Sequence, residues 1–219
     1  MSRSPRVVVV LSGCGFLDGA EITEAVVSLL ALDRAGVEVQ VAAPDKPQHH
    51  VVDHRSGSPT DETRNVLTEA ARIARGKVVP LDAIDASTFD GIFLPGGFGA
   101  AKNLSDLAFR GPAATVDPTL AALLRAFHAA HKPIGAVCIS PAVVVAALRE
   151  GDVTIGDDAG TAGAIAAMGG ANHACPVTEL HVDRARRIVS APAYMYADAR
   201  IADVATGIER AVAAFLELL

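Results

Sequence analysis

The sequence predicts an α/β fold, a doubly wound and mostly parallel sheet with helices on both faces. Three observations lead there. Strand-like apolar runs alternate with helix-like segments along nearly the whole chain, the pattern of βαβ units. The strand candidates, such as Val7–Leu11, are continuous and Val-rich, as strands buried on both faces are. The loops expected at one edge of such a sheet, Ser12–Asp18, Pro95–Asn103 and the turn at Cys138, concentrate glycine, cysteine and polar residues. In doubly wound sheets ligands bind beyond the carboxyl ends of the strands.

Bulk composition sets the class. The 219 residues fit one domain, expected over 1–219. Apolar residues make up 51% against 20% charged, enough for a sizeable core, and with 4% aromatics and no Trp that core is aliphatic. The net charge of -6 and the scarcity of stacking rings argue against nucleic-acid partners. The three cysteines are widely spread and form no C-x-x-C pair, so a reducing compartment and a free, reactive Cys138 are expected. Five apolar residues after Arg6 are too few for a signal-peptide core or a membrane span, which gives the expectation of a soluble, cytoplasmic protein with no membrane partner.

In chain order, Val7–Leu11 is the first strand, and a helix follows from Asp18–Glu21 to about Arg34, with apolar Ile22, Ala25, Val26, Leu29 and Leu30 at helical spacing. Gly36 stops it and Val37–Ala42 is the second strand. The segment 44–88 reads as an insertion on the sheet, too poor in apolar residues for a core of its own. It begins with a long loop or short hairpin (Pro44–Thr60) rich in Pro and His. A helix over Asp61–Arg75 capped by Asp61 or Thr60, a short strand at Val78–Leu81 and a single helical turn at Asp85–Thr88 follow. Phe89–Leu94 is a central strand, Pro118–Ala130 a helix, Pro133–Val137 a strand and Pro141–Arg149 a helix. Val153–Ile155 (strand), Ala162–Met168 (helix), Cys175–Val177 and Glu179–Val182 (short extended pieces), Arg187–Ala191 (strand) and an amphipathic helix over Ile201–Leu219 complete the chain.

Chemistry concentrates at Gly135-Ala136-Val137-Cys138-Ile139-Ser140-Pro141. A strand that passes this sharply into a helix holds the turn residue up and exposed, as a nucleophile elbow does. The helix N-terminus aims unpaired N–H groups and partial positive charge at the sulfur, which favours thiolate, the nucleophilic form. A buried structural cysteine is the competing reading. The glycines of Pro95-Gly96-Gly97 let backbone N–H groups approach a ligand, and the oxyanion donors are assigned to the N–H groups of Gly97 and Ile139. Gly96, Asn103, Lys102 and Cys14 are the substrate-binding candidates; Asn103 and Lys102 alternatively cap the following helix, and Cys14 is alternatively a small loop residue. Cys14 lies at the same sheet edge as Cys138, so a redox-coupled thiol pair is a further candidate. His49, His50 and His54 have no metal-ligand spacing, and no metal site is expected.

Leu-Pro-Gly-Gly-Phe-Gly-Ala-Ala-Lys-Asn-Leu (94–104) and Ala-Val-Cys-Ile-Ser-Pro-Ala (136–142) resemble loops of the ThiJ/PfpI superfamily, a branch of the glutamine-amidotransferase-like, flavodoxin-like sandwich fold. Leu-Ser-Gly-Cys-Gly (11–15), Glu-Thr-Arg-Asn-Val-Leu (62–67), Glu-Ala-Ala-Arg-Ile (69–73), Cys-Pro-Val (175–177) and Pro-Ala-Tyr-Met (192–195) narrow the likeness to its ElbB group, described as glyoxalase-like. The resemblance spans essentially the whole chain. It implies a glutamate of the first helix touching the elbow cysteine, a role that falls on Glu24, with Glu21 as the fallback three residues earlier. A carboxyl against a thiolate resists ionising, so Glu24 is expected to stay protonated and donate to sulfur. The resemblance also implies a homodimer and a cofactor-independent conversion of glyoxal or methylglyoxal, a small dicarbonyl, to a 2-hydroxy acid through a Cys138 hemithioacetal. Amidotransferases of this fold carry a Cys-His-Glu triad with a late His-x-Glu pair; here that pair is absent, and His173, with His181 behind it, is the nearest candidate. The alternatives left open are a redox-sensing protein acting through oxidation of Cys138 and an amidase or amidotransferase-like hydrolase.

Overall fold

Residues 3–219 are described by a computed structural model. The strands are β1 (Arg6–Val10), β2 (Glu38–Ala43), β3 (Val52–Asp53), β4 (Ser58–Pro59), β5 (Val78–Pro80), β6 (Gly91–Leu94), β7 (Ile134–Val137), β8 (Asp152–Val153), β9 (Ala171–Asn172), β10 (His181–Asp183) and β11 (Ile188–Ala191). The main sheet runs β10-β11-β7-β6-β1-β2-β5. Every pairing in it is parallel except β10 with β11 at one edge. β3 and β4 form a small antiparallel hairpin and β8 and β9 a small parallel pair. The helices are α1 (Ile22–Arg34), α2 (Val66–Ile73), α3 (Phe98–Lys102), α4 (Leu107–Arg110), α5 (Pro118–Ala129), α6 (Ser140–Leu148), α7 (Ala159–Ala167) and α8 (Ile201–Leu216).

β1 explains why the sheet needs two helical layers. Val8 and Val10 pack into one core cluster, Val7 and Val9 into the other, and all four are fully buried. The first cluster is closed by Leu120, Leu124 and Phe127 of α5 and by α6, which is apolar on all sides and buried from Ser140 to Ala147. The second is closed by Ala25 and Leu32 of α1, Val66 and Ala70 of α2, and Val204, Ile208, Val212 and Phe215 of α8. Phe93 of β6 and Phe215 meet edge to face, with centroids 5.6 Å apart. Gly135 of β7 makes room for them, since a Cβ there would run into the Phe93 ring.

The predicted doubly wound α/β architecture is the observed one. Several boundaries differ, for local reasons. The helix expected from Asp61 starts only at Val66, with Asn65 as its cap accepting from the Thr68 N–H. The preceding backbone is already engaged: Gln48 N–H donates to Arg64 O and Val66 N–H to Lys46 O. Within 44–88 the β3–β4 hairpin stands off the sheet, whereas β5 is the sheet's edge strand beside β2. The strand expected at Val153–Ile155 is the two-residue β8, and the glycine loop after β6 turns into the short helix α3. The helix expected from Ala162 begins at Ala159, where Asp158 accepts from the Thr161 N–H. The last helix ends at Leu216, and Leu218 folds back into the core.

β2 and β5 lie on one side of β1, and β6 and β7 on the other. The winding therefore reverses between β1 and β6, and a crevice opens beyond the carboxyl ends of the strands there. The loops after β1, β6 and β7 meet at that crevice.

Truncating the buried aromatic pair tests the two-layer packing. Phe215→Ala is expected to destabilise the fold by about 3–5 kcal/mol, read as a lower denaturant midpoint at unchanged slope.

Candidate active site

Cys138 is the first residue after β7. Its backbone is left-handed (φ 62°), a conformation a side-chain-bearing residue adopts at a cost of about 1–3 kcal/mol. Neighbouring contacts hold it there. The Cys138 N–H donates to Ala191 O of β11 (3.0 Å), the Ser140 hydroxyl donates to Pro95 O (2.7 Å), and Pro141 opens α6. The result is the expected elbow. Gly96 packs directly beneath it: a Cβ at that position would meet the Cys138 Cβ, the Glu24 carboxyl at 2.8 Å and the Cys138 sulfur at 2.9 Å. Glycine at 96 is what lets the β6 loop come this close.

Glu24 lies in the first turn of α1 and is fully buried. Its Oε2 accepts from the Gly96 N–H (2.9 Å) and its Oε1 from the Tyr194 N–H (3.1 Å). Its side chain also hydrogen bonds Cys138. Glu21 caps the helix, its Oε2 accepting from the Glu24 N–H at 2.7 Å. Burial, and next the charge of Glu21, push the Glu24 carboxyl up to about 8. Glu24 is thus largely protonated at neutral pH, as expected.

The sulfur does not follow the expectation of a ready thiolate. The N–H groups of Gly97 and Ile139 hydrogen bond it and pull its pKa down. Burial and the nearby Glu24 outweigh them and push the Cys138 thiol well above its ordinary value. The electropositive helix end is present, but desolvation by burial is larger.

Cys138 is 7% exposed, and that exposure faces a cavity of about 370 Å³. Cys138, Gly97, Ile139 and Glu21 line it, together with Asp158 and Thr161 at the start of α7. Phe16, Phe98, Tyr194, Met195 and Ala197 form the rest of its wall. The single acid beside the thiol, the N–H pair on the sulfur and an enclosed approach suit addition of the sulfur to a carbonyl.

Comparison with known proteins shows the family and the fold. The sequence pattern defining the DJ-1/PfpI family matches residues 6–155, which include Glu24, Gly96, Gly97 and Cys138. The chain belongs to the DJ-1/PfpI family. That family includes cysteine-based enzymes. The chain is 48% identical over 200 residues to the Homo sapiens protein called glutamine amidotransferase-like class 1 domain-containing protein 3, mitochondrial, covering 87% of this chain and 75% of that one. It is 44% identical to the Rattus norvegicus ES1 protein homolog, mitochondrial, covering 97% and 84%. A crystal structure of an Ehrlichia chaffeensis isoprenoid biosynthesis protein with an amidotransferase-like domain superposes with a TM-score of 0.92 at 42% identity, covering 98% and 99%. The names of the two mammalian relatives place those proteins in mitochondria and lend no support to the cytoplasmic expectation. No helix among the described residues is long and apolar enough to cross a membrane.

Several predicted residues lie outside the DJ-1/PfpI cavity. Asn103 is buried with its amide fully used, donating to Ser12 O (2.9 Å) and Asp18 O (2.8 Å) and accepting from the His49 N–H (2.9 Å). It ties three loops together and has no group left for substrate. Lys102 donates to Leu17 O (3.0 Å) and sits over the Phe98 ring; it braces the wall from behind. Cys14 is half-buried among Glu69, Arg72, Asp18 and Arg64, the side facing α2, and does not line the cavity. No disulfide joins it to Cys138. Its charged neighbours are not those of Cys138, so the coupled-thiol expectation finds no support. His173 stacks face to face on His181 at 4.1 Å beside β9, half-exposed and away from the lining. No metal-binding group of three His, Cys, Asp or Glu occurs among the described residues.

The Tyr194 N–H and the aromatic walls were not expected. The Pro192–Met195 stretch enters the sequence reading only as one of the motifs of the family resemblance, with no role assigned to its backbone. Its role depends on the turn after β11, where Ala193 adopts φ 46° and aims the Tyr194 N–H at Glu24. Nothing in an alanine announces that conformation.

Two measurements follow. The rate of Cys138 alkylation by iodoacetamide is expected to keep rising with pH past the usual thiol value of ~8.5. In Glu24→Gln the rise shifts to lower pH, because removing the carboxylate removes a cause of the raised thiol pKa; a plateau below pH 7 in the unmodified chain contradicts this ordering. Asn103→Ala, which strands a buried N–H and two carbonyls, is expected to lower stability by about 1–3 kcal/mol in denaturant melts.

Proposed function

We propose that the chain is a glyoxalase-type enzyme acting on glyoxal or methylglyoxal without glutathione or another cofactor. The observation that carries this reading is the buried Glu24–Cys138 pair at the floor of a cavity, with the Gly97 and Ile139 N–H groups on the sulfur side. The likeness to the Ehrlichia protein supports the finer assignment to the ElbB-like branch.

The two groups act as one acid–base unit. With Glu24 titrating at about 8, about one pair in ten is singly ionised at pH 7. In that form the Glu24 carboxylate takes the thiol proton as sulfur adds to the aldehyde carbon. The carbonyl electrons move to oxygen, which the N–H groups of Gly97 and Ile139 receive, and protonation gives the hemithioacetal. Glu24 then removes the proton from the hemithioacetal carbon, giving an enediol, and a proton returns to the neighbouring carbon. The product is a thioester of a 2-hydroxy acid. Water cleaves it, releasing the acid and restoring the thiol. One carbon is oxidised as its neighbour is reduced, so no external electron acceptor enters.

Two observations favour this reading over its alternatives. No histidine lines the cavity, so an amidotransferase triad lacks its base. A thiol held protonated by burial is a slow target for peroxide, which attacks thiolate, and that disfavours a sensor.

A homodimer belongs to the proposal. The Leu218–Leu219 pair that ends the chain does not supply the contact face, because Leu218 is buried in the core. Exposed Ile22, Val26 and Leu30, four residues apart on α1, supply the apolar face instead. Light scattering that reports a monomer at micromolar concentration removes this part.

The test is methylglyoxal given to purified protein, with D- and L-lactate measured. Turnover is expected to fall by more than about 100-fold in both Cys138→Ala and Glu24→Gln. The rate with the unmodified chain is expected to rise with pH through about 8, as Glu24 loses its proton. Glu24→Gln that alkylates faster yet turns over slower separates the base from the nucleophile. Absence of lactate with ammonia released from glutamine transfers the assignment to amide hydrolysis.

A further inference from the structure

We propose that the outer cavity is an organic-cation subsite, which delivers an electrophile bearing an ammonium or guanidinium group to Cys138. This rests on the reading of Cys138 as the reacting atom and adds the class of molecule that reaches it.

The first observation is size. Methylglyoxal has five non-hydrogen atoms; at roughly 30 Å³ each, the share of a water molecule in the liquid, it fills about 150 Å³. The cavity, at about 370 Å³, has more than twice that room. The second is charge. The charged residues on its wall are Glu21 and Asp158, both acidic, and no Lys, Arg or His lines it. Glu21 is engaged through Oε2 by the Glu24 N–H and keeps its other oxygen for a ligand, whereas Asp158 is held by both the N–H and the hydroxyl of Thr161 and contributes its charge. The third is the wall between them. Phe16, Phe98 and Tyr194 line the mouth, and the two Phe rings are 46% and 49% exposed. Aromatic faces beside carboxylates attract cations and offer nothing to a carboxylate or phosphate. The Lys102 ammonium, 5.2 Å from the Phe98 centroid, takes one face of that ring, so Phe16, Tyr194 and the two carboxylates carry the preference for a cation.

These three features are independent. Volume leaves space beyond the reacting carbon, the carboxylates set the sign of what enters, and the rings favour an organic cation over a hydrated metal ion. A phosphorylated or carboxylated dicarbonyl meets two negative charges on the way to the sulfur.

The test uses charged thiol reagents and needs no turnover. Thiolate attack on a methanethiosulfonate forms a mixed disulfide and releases methanesulfinate, and peptide mass spectrometry follows Cys138 apart from Cys14 and Cys175. Three reagents are compared, with trimethylammonium-ethyl, neutral methyl and sulfonatoethyl tails, each normalised to its rate with free cysteine. Cys138 is expected to react about tenfold or more faster with the cation than with the anion at low salt. The preference shrinks as salt is raised and falls several-fold in Glu21→Gln and in Asp158→Asn, both of which keep their helix-capping oxygen. Equal normalised rates, a preference for the anion, or a cation preference untouched by both substitutions overturns the subsite. Failure of Cys138 to react with all three reagents overturns instead the reading of the site as a reactive centre, so the two failures are told apart.

Discussion

Two acids share one buried space. Glu24 and Cys138 are buried against each other: burial raises the proton affinity of both, the Glu24 charge raises that of the thiol further, and the hydrogen bond from Cys138 partly offsets the rise at Glu24. The interaction works only because the surrounding backbone supplies four N–H groups, two to the carboxyl from Gly96 and Tyr194 and two to the sulfur from Gly97 and Ile139. Each donor comes from a different loop or turn position at the carboxyl ends of β6, β7 and β11. A buried carboxyl with no donors would be expelled or would stay neutral at every working pH. Here it is poised near 8, where a modest change in surroundings changes its charge.

That arrangement imposes demands on the chain far from the chemistry. The β6 loop must touch both groups, so position 96 carries no side chain. Position 97 is similarly constrained: its φ of 96° and its contact with Gly19 and Glu21 leave no room for a Cβ. Cys138 itself holds a left-handed conformation that its backbone hydrogen bond to Ala191 and the Ser140–Pro95 tie maintain. Asn103, spanning Ser12, Asp18 and His49, locks the β1 loop against α3 and so fixes the start of α1 that carries Glu24. The strain and the desolvation are concentrated at one edge, and the aliphatic core on both faces of β1 supplies the stability that tolerates them.

The sheet, the elbow and the glycine approach were legible because each leaves a local mark: an unbroken Val run, a cysteine pressed between strand and helix, consecutive glycines after a strand. Glu24 was legible only through family resemblance, since a glutamate in a first helical turn is ordinarily solvated. The protonation of the sulfur was not legible. A helix N-terminus next to a cysteine suggests a low pKa, whereas the opposing desolvation depends on how closely β6, β11 and α1 pack around it, which is a tertiary quantity. Asn103 and Lys102 misled for a related reason. Polar residues after a glycine loop look the same whether they face substrate or brace neighbouring carbonyls, and here both brace. The late start of α2 shows the same override, with backbone groups around Arg64 already pledged to residues 46 and 48.

The division of labour between floor and mouth follows from where each part comes from. The floor is backbone N–H groups and two buried acids, held by the main sheet and by glycines that tolerate no substituent. The mouth is side chains on loops and helix starts, Phe16, Phe98, Asp158 and Tyr194, each free to differ without disturbing the core. On the proposed reading, a floor of this kind does not discriminate among carbonyl carbons, because N–H donors and a thiol read no feature of the substrate beyond the developing oxyanion. Selection therefore has to reside in the mouth, whose charge and aromatic character are set by a handful of exposed residues. A fold built this way keeps one reaction chemistry while its substrate range shifts, and that is the physical reason membership of the DJ-1/PfpI family specifies a reactive cysteine more firmly than it specifies what the cysteine acts on.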